Sequence, residues 1–341
     1  MKKILLFIIA LSVAGYFWYV AALSPVDSSL ATRTKVTIEA GSTTSHIADQ
    51  LKASGLIRSR IVFKLYLKLK GLDGSLQAGV YLLDTSQSVD DVVRILQSGR
   101  AEEMIVTIPE GFTVRDIDAL LTEMELTEEG EAVRCANVCD FETYGFLPTE
   151  VGQLADRGGK LEGYLFPDTY YVPVDEFVVK FFFERMLNAF RSNVVEEHGD
   201  AIAVSNRTLH EFISMASLVE EETRTDEERA IVAGILWKRY DAGWGLGIDA
   251  AVRYIVNKPT AKITHGDLNT NSPYNLRKFK GLPPGPISSV SLKSIIATLR
   301  PQESAYWYYL HDKEGQIHYS QTNEEHNTNR YNFLGSGADQ R

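Results

Sequence analysis

Between Leu209 and Val219 the apolar positions recur with a helical period. Leu209, Phe212, Ile213, Ala216 and Val219 fall on one stripe at 3.6 residues per turn. Thr208 followed by Glu211 has the spacing of a capping box and marks where this helix starts. The same period puts Glu220 inside the stripe, turns Glu221 well away from it, and leaves Glu222 near its edge beside Met215. A second helix is predicted through Ile231, Val232, Ile235 and Leu236. Thr225 and Glu228 would cap it, and it stops before Gly243-Trp-Gly-Leu-Gly247.

Upstream, Lys35 to Glu39 alternates like a strand, and Gly41 to Ser45 reads as a turn and cap before a helix containing Ile47 to Leu51. A helix over Ile61 to Leu69, a strand over Ala78 to Leu83, and a helix opened by Ser88 and Asp91 and ending at Gly99 complete a small α/β unit, residues 36–104. A larger domain, residues 105–341, begins with Ile105 to Glu110 and a helix over Thr113 to Met124. Glu125 to Lys160 is polar and Gly-containing and reads as an irregular insertion. The predicted fold class is α/β (α+β).

The chemistry centres on Glu220. A carboxylate on an apolar helix face loses hydration, which disfavours its charged form and moves its pKa towards the range of a general acid. The other reading is a carboxylate capped by a buried Arg or snorkelling to solvent.

The run Met215-Ala-Ser-Leu-Val-Glu-Glu-Glu-Thr223, the block from Glu228-Arg229 to Arg239, and Leu246 followed by Asp249 resemble the signature of the YceG-like family, the endolytic murein transglycosylases called MltG. Leu161-Glu-Gly-Tyr-Leu-Phe-Pro-Asp-Thr169, Ser272-Pro-Tyr-Asn275, Gly281-Leu-Pro-Pro-Gly285 and a tail ending Glu325-His326-Asn327 agree in order, and the resemblance covers about residues 36–333. Where the family reads Leu-Gln-x-Asp-Pro, this chain has Gly247 and Ala250, which alters the expected cleft wall.

The resemblance implies an enzyme that cuts peptidoglycan glycan strands internally, between N-acetylmuramic acid and N-acetylglucosamine, without water. One Glu, matched to Glu220, protonates the glycosidic oxygen. As carboxylate it then accepts the proton of the muramic C6 hydroxyl as that oxygen closes on C1, leaving a 1,6-anhydro end. Such a reaction needs an acid for a poor leaving group, and an oriented intramolecular hydroxyl replaces the second carboxylate of a hydrolase. Asp249 or Glu222 as a second carboxylate would instead make a muramidase. A non-catalytic wall-binding scaffold at the synthesis machinery is the alternative from another class.

The other matched blocks are expected to build the cleft. Ser272, Tyr274 and Asn275 offer hydroxyl and amide groups suited to sugars, or form an ordinary turn. Glu162 and Tyr164 sit in an aromatic-rich block where a ring can stack on a sugar or fill a core. Asn323 and His326 enter through the family tail, and Asp249 through its motif acid. The Pro-rich Gly281 to Gly285 reads first as a rigid loop. The resemblance also implies a LysM-like module over residues 36–104, binding glycan or standing the active site off the membrane.

Ile4 to Val26 carries no charge and is long enough to cross a hydrocarbon core of about 30 Å. With Lys2 and Lys3 before it, residues 1–26 read as a signal anchor of the inner membrane, N-terminus cytoplasmic and the rest periplasmic. A cleaved signal peptide is the rival. The net charge of −10 argues against nucleic acid. Cys135 and Cys139, four residues apart, suit a local disulfide in an oxidising compartment. No metal-ligand spacing, HExxH, phosphate loop or nucleophile elbow occurs, so no metal or cofactor is expected. The expected partners are glycan strands, the membrane, and synthases or division proteins.

Overall fold

A computed structural model of the chain describes residues 2–27, 33–98, 103–149, 158–173, 177–258 and 263–335. It divides into two units, one of Met1–Ile105 with Tyr171–Phe177 and one of Val106–Tyr170 with Val178–Arg341. It is a mixed α/β protein, in which the sheets among the described residues are two-stranded.

The first unit starts with α1 (Lys2–Leu23). Many of its side chains lie outside the described residues, and among the described residues no helix is long and apolar enough to cross a membrane. The span therefore rests on the sequence alone. β1 (Arg33–Ile38) follows, then α2 (Thr44–Ala53), α3 (Arg60–Lys70), β2 (Gly79–Asp84) and α4 (Val89–Ser98). β1 pairs antiparallel with β2, Val36 opposite Tyr81, and the alternation expected from Lys35 onward points Val36 and Ile38 into a core with Leu51, Phe63, Tyr81 and Leu96. Ser88 and Asp91 form the predicted capping box of α4, while the expected stop at Gly99 lies outside the described residues. Gly71, at φ 69°, closes α3 in the left-handed conformation that costs glycine no Cβ clash.

β3 (Glu103–Thr107) pairs with β4 (Thr169–Pro173), and the unit boundaries fall within both strands. Between them lie α5 (Val114–Glu123) and α6 (Glu131–Val138). α6 corrects the expectation of an irregular insertion there. Its N-cap is Gly130, which has no side chain to signal a start. The orphan amides of its first turn are met instead by buried Asp118, whose carboxylate accepts from Gly130 and Ala132 N–H, each at 2.8 Å. The expected disulfide joins Cys135 and Cys139 at the other end of α6.

The second unit continues through α7 (Val179–Phe190), α8 (Glu197–Ala203), α9 (Leu209–Glu222), α10 (Asp226–Asp241), α11 (Asp249–Val256), α12 (His265–Leu268) and α13 (Leu292–Leu299). The antiparallel hairpin β5 (Tyr308–His311) and β6 (Ile317–Ser320) and then α14 (Asn323–Asn329) complete it. α9 is its centre. The Thr208–Glu211 capping box forms as predicted. Every residue from Phe212 to Val219 is buried, because α8, α10, α11 and α13 all pack on α9. At about 1.5–3 kcal/mol for each large apolar side chain, this helix anchors the unit. The box predicted at Thr225 does not form: Thr225 makes no side-chain cap, and Glu228 accepts from the Arg224 N–H at 2.9 Å instead.

Candidate active site

The three acids ending α9 leave it in different directions. Glu220 turns towards the start of α13. Its Oε2 accepts from the Ser291 N–H at 2.9 Å and from the Ser291 hydroxyl at 2.5 Å, and its Oε1 lies 3.5 Å from Arg229 Nη2. Its side chain is only 7 % exposed, and Arg229, 10 % exposed, is itself tied to Asp226 and Ser294. The burial of Glu220 is met by a cation and two donors at a helix N-terminus. Nearby Glu110 is pushed up by burial and by the charge of Glu220. Glu221 lines a separate cavity of about 90 Å³ with Thr113, Arg253 and Tyr254.

Glu222 faces the large opening. It lines a cavity of about 910 Å³ whose walls include Trp244 and Leu246, Asp249 of α11, Arg277, Tyr309 of β5 and His326 of α14. The Tyr309 hydroxyl donates to its Oε2 at 3.0 Å. Burial pushes the Glu222 carboxyl up to about 7; the charge of Asp249 adds to this, while the Tyr309 hydroxyl and Arg277 pull the other way. Such a group is divided between acid and base near neutral pH, as a residue that must act as both requires.

The surrounding groups are positioned by chain segments far apart in sequence. Asp249 opens α11 and is paired with Arg277 at 2.7 Å. Arg239 Nη1 donates to the Leu246 carbonyl at 2.9 Å and its Nε to the Trp307 carbonyl at 2.7 Å, binding the Gly243–Gly247 loop to the start of β5. Trp244, 41 % exposed, stacks on Trp307 with centroids 4.5 Å apart. His326 stacks on Tyr308 at 5.1 Å, and its buried Nδ1 has no hydrogen-bond partner among the described residues. Burial, then Arg330 and Arg239, hold its pKa below the usual value, so the ring is neutral at pH 7 and can donate or accept one hydrogen bond.

The remaining expected site residues lie elsewhere. Glu162, 4 % exposed, accepts from the Val114 N–H at 3.2 Å and the Tyr254 hydroxyl at 3.0 Å. Tyr164 is fully buried, its hydroxyl 2.9 Å from His210 Nδ1. His210 Nε2 donates to the Pro284 carbonyl at 2.8 Å, which ties the aromatic block to the Pro-rich loop. Ser272 Oγ accepts from the Tyr274 N–H at 3.3 Å within its own turn. Buried Asn275 donates to the carbonyls of Leu268 and Thr270, and Tyr274 packs on Tyr254. Asn323 is exposed at the start of α14 and does not line the cavity. Of the expected set, the structure gathers Asp249 and His326 around Glu222.

Tyr309 and Arg277 were not singled out by the sequence, and Arg239 and Trp244 entered only as the end of a matched block and as part of the run that stops a helix. The one available signal was the aromatic run Tyr306-Trp-Tyr-Tyr309, which becomes the hairpin wall. Among the described residues no group of three His, Cys, Asp or Glu gathers as metal ligands. Another cavity, of about 640 Å³, lies beside Trp237 and Thr298; its acids, Asp241 and Glu303, are exposed, and Asp241 is paired with Arg207.

The pattern of the YceG-like family matches residues 36–332. The chain is similar to proteins named endolytic murein transglycosylase. One, from Streptococcus pneumoniae, is 30% identical over 95% of this chain, which spans 63% of that protein. Another, from Bacillus subtilis, is 30% identical over 96% of this chain and 92% of its own length. A solved YceG-like protein of Listeria monocytogenes aligns over 88% of this chain and 99% of its own, at 28% identity and a TM-score of 0.61.

Proposed function

The chain belongs to the YceG-like family, and on that premise we propose that it is an endolytic peptidoglycan transglycosylase; the resemblance matches its acid and base to Glu220, while the geometry of the large cavity supports Glu222 in that role. The observation that carries the assignment is the position of Glu222 on the wall of the large cavity beside Asp249 and Tyr309, while Glu221, raised to about 7 like Glu222, lines the small cavity and Glu220 is engaged by Arg229 and Ser291. Protonated Glu222 gives its proton to the glycosidic oxygen between N-acetylmuramic acid and N-acetylglucosamine. Having become the carboxylate, it takes the proton from the C6 hydroxyl as that oxygen bonds to C1, and a 1,6-anhydro end results. Asp249 faces the same cavity and opposes the positive charge that builds on the sugar ring. Trp244 offers an apolar plane to the face of a pyranose, and His326 a hydrogen bond to its polar edge.

The relatives' names support the substrate, and the uncharged run from Ile4 to Val26 after Lys2 and Lys3 supports an inner-membrane anchor with the second unit in the periplasm. In this reading the first unit corresponds to the LysM-like part of the family, and cleavage beside the synthases limits the length of new strands.

Mass spectrometry of digested glycan strands tests the reading. The wild type is expected to leave ends lighter by one water, Glu220→Gln to leave them too, and Glu222→Gln to leave none. Because Asp249 shares the cavity, a hydrolase is the second reading, and reducing ends in place of anhydro ends would establish it.

A further inference from the structure

Helix α3 presents an apolar row to the outside of the first unit. Ile61 is 64 % exposed, Leu65 43 % and Leu69 69 %, and at a spacing of four residues they lie along one side of the helix. The opposite side, with Val62, Phe63, Tyr66 and Leu67, is already buried in the core. Scattered single apolar residues on a surface are ordinary, but three large ones in a row are not. Arg60, Lys64, Lys68 and Lys70, all exposed, border the row. An apolar strip edged by cations is the composition of a helix that lies in the interface of a bilayer bearing negative charge, the aliphatic chains entering and the ammonium groups meeting phosphate.

A second feature points to the same occupant. Arg58, just before the N-cap of α3, donates through Nε and Nη2 to the Pro25 carbonyl at 3.0 and 2.6 Å and through Nη2 to the Val26 carbonyl at 3.0 Å. Leu23, the last residue of α1, packs against the core of this unit, and α1 contacts α3. The start of α3 is thereby tied to the residues that directly follow α1. Lys52, Arg58 and Arg60 line a shallow cavity of about 550 Å³ at that point, together with Ile61 and with Asp49, which pairs with Arg60 at 3.0 Å. This cluster suits a lipid phosphate beside the apolar row.

We propose that the Ile61–Leu65–Leu69 face of α3 docks on the surface of an anionic bilayer, holding the first unit against the membrane in which α1 is anchored. The inference rests on the anchor proposed above. It gives the first unit a role that glycan binding does not require.

The full-length chain tests it, since its own cysteines are joined in a disulfide and leave a single introduced thiol for labelling. Leu65→Cys, carrying an environment-sensitive fluorophore, is reconstituted in vesicles of phosphatidylcholine with or without phosphatidylglycerol. With phosphatidylglycerol the fluorophore is expected to shift to the blue and to be quenched roughly twofold or more by a lipid-borne nitroxide. Lys64→Glu with Lys68→Glu should abolish both effects. A chain that does not float with vesicles overturns the anchor and the docking together. One that floats with its fluorophore in water overturns the docking alone. A fluorophore equally shielded in detergent, increasingly so with protein concentration, means that a second copy covers the face, and also overturns it.

Discussion

The Tyr309 hydroxyl donates to Glu222 at 3.0 Å, joining the hairpin β5–β6 to the last turn of α9. Tyr309 is held protonated, its pKa well above the ordinary value through burial and the Glu222 charge, so it remains a donor. The bond favours the carboxylate, so removing it raises the Glu222 pKa further. A general acid works below its pKa and fails as pH rises through it. In the wild type, kcat/KM should therefore fall around pH 7, and in Tyr309→Phe the fall should move about one unit to higher pH. An unmoved alkaline limb would remove Glu222 from the acid's role.

Glu220 and Arg229 make the opposite kind of pair, buried and engaged with each other. Arg229→Met leaves an uncompensated charge and should cost about 3–5 kcal/mol in urea unfolding, while adding Glu220→Gln to it should restore part of the loss. Per folded molecule, Glu220→Gln should keep its rate within roughly threefold, whereas Glu222→Gln should lose about 10²-fold or more.

Glu162 gives a dependence of stability on pH. Burial raises its carboxyl to about 8, against 4.5 for an ordinary Glu side chain, so the folded chain keeps a proton that the unfolded chain releases. Its contribution is fully present below about pH 4.5 and is lost as pH rises towards 8, by at most roughly 4–5 kcal/mol. Melting temperatures of Glu162→Gln measured from pH 5 to 8 should vary less than those of the wild type.

Gly163 brings the aromatic block against the Pro-rich loop. Its φ is +80°, and a Cβ there would lie 2.3 Å from Pro286 Cβ. Gly163→Ala combines left-handed strain with overpacking and should cost about 2–5 kcal/mol, read as a lowered unfolding midpoint.

Trp244 stands exposed on the cavity wall with Trp307 behind it. Trp244→Ala should raise KM for glycan strands up to roughly tenfold with a smaller change in kcat, and Trp244→Tyr should recover most of it. Equal loss in both parameters would mean that the ring shapes the site and does not hold the sugar.

Several elements were legible because their signals are local. The α9 and α4 caps lie within four residues of the helices they start, and the β1 alternation needs only a two-sided sheet. α6 was not legible, since the carboxylate that caps it comes from Asp118 on another helix. Likewise Glu162, Tyr164 and Asn275 carry the right chemistry for sugars, but their polar atoms are used inside the fold.

By itself the sequence determined that a capped helix ends in three consecutive acids, that an uncharged run precedes everything else, and which family the blocks belong to. Which acid meets the cavity was decided only by tertiary packing. α9 is buried on every face from Phe212 to Val219, so an apolar stripe cannot say which way its last turn looks. The direction came from what surrounds it: α13 and Arg229 of α10 took Glu220, and the Tyr309 strand with Asp249 took Glu222.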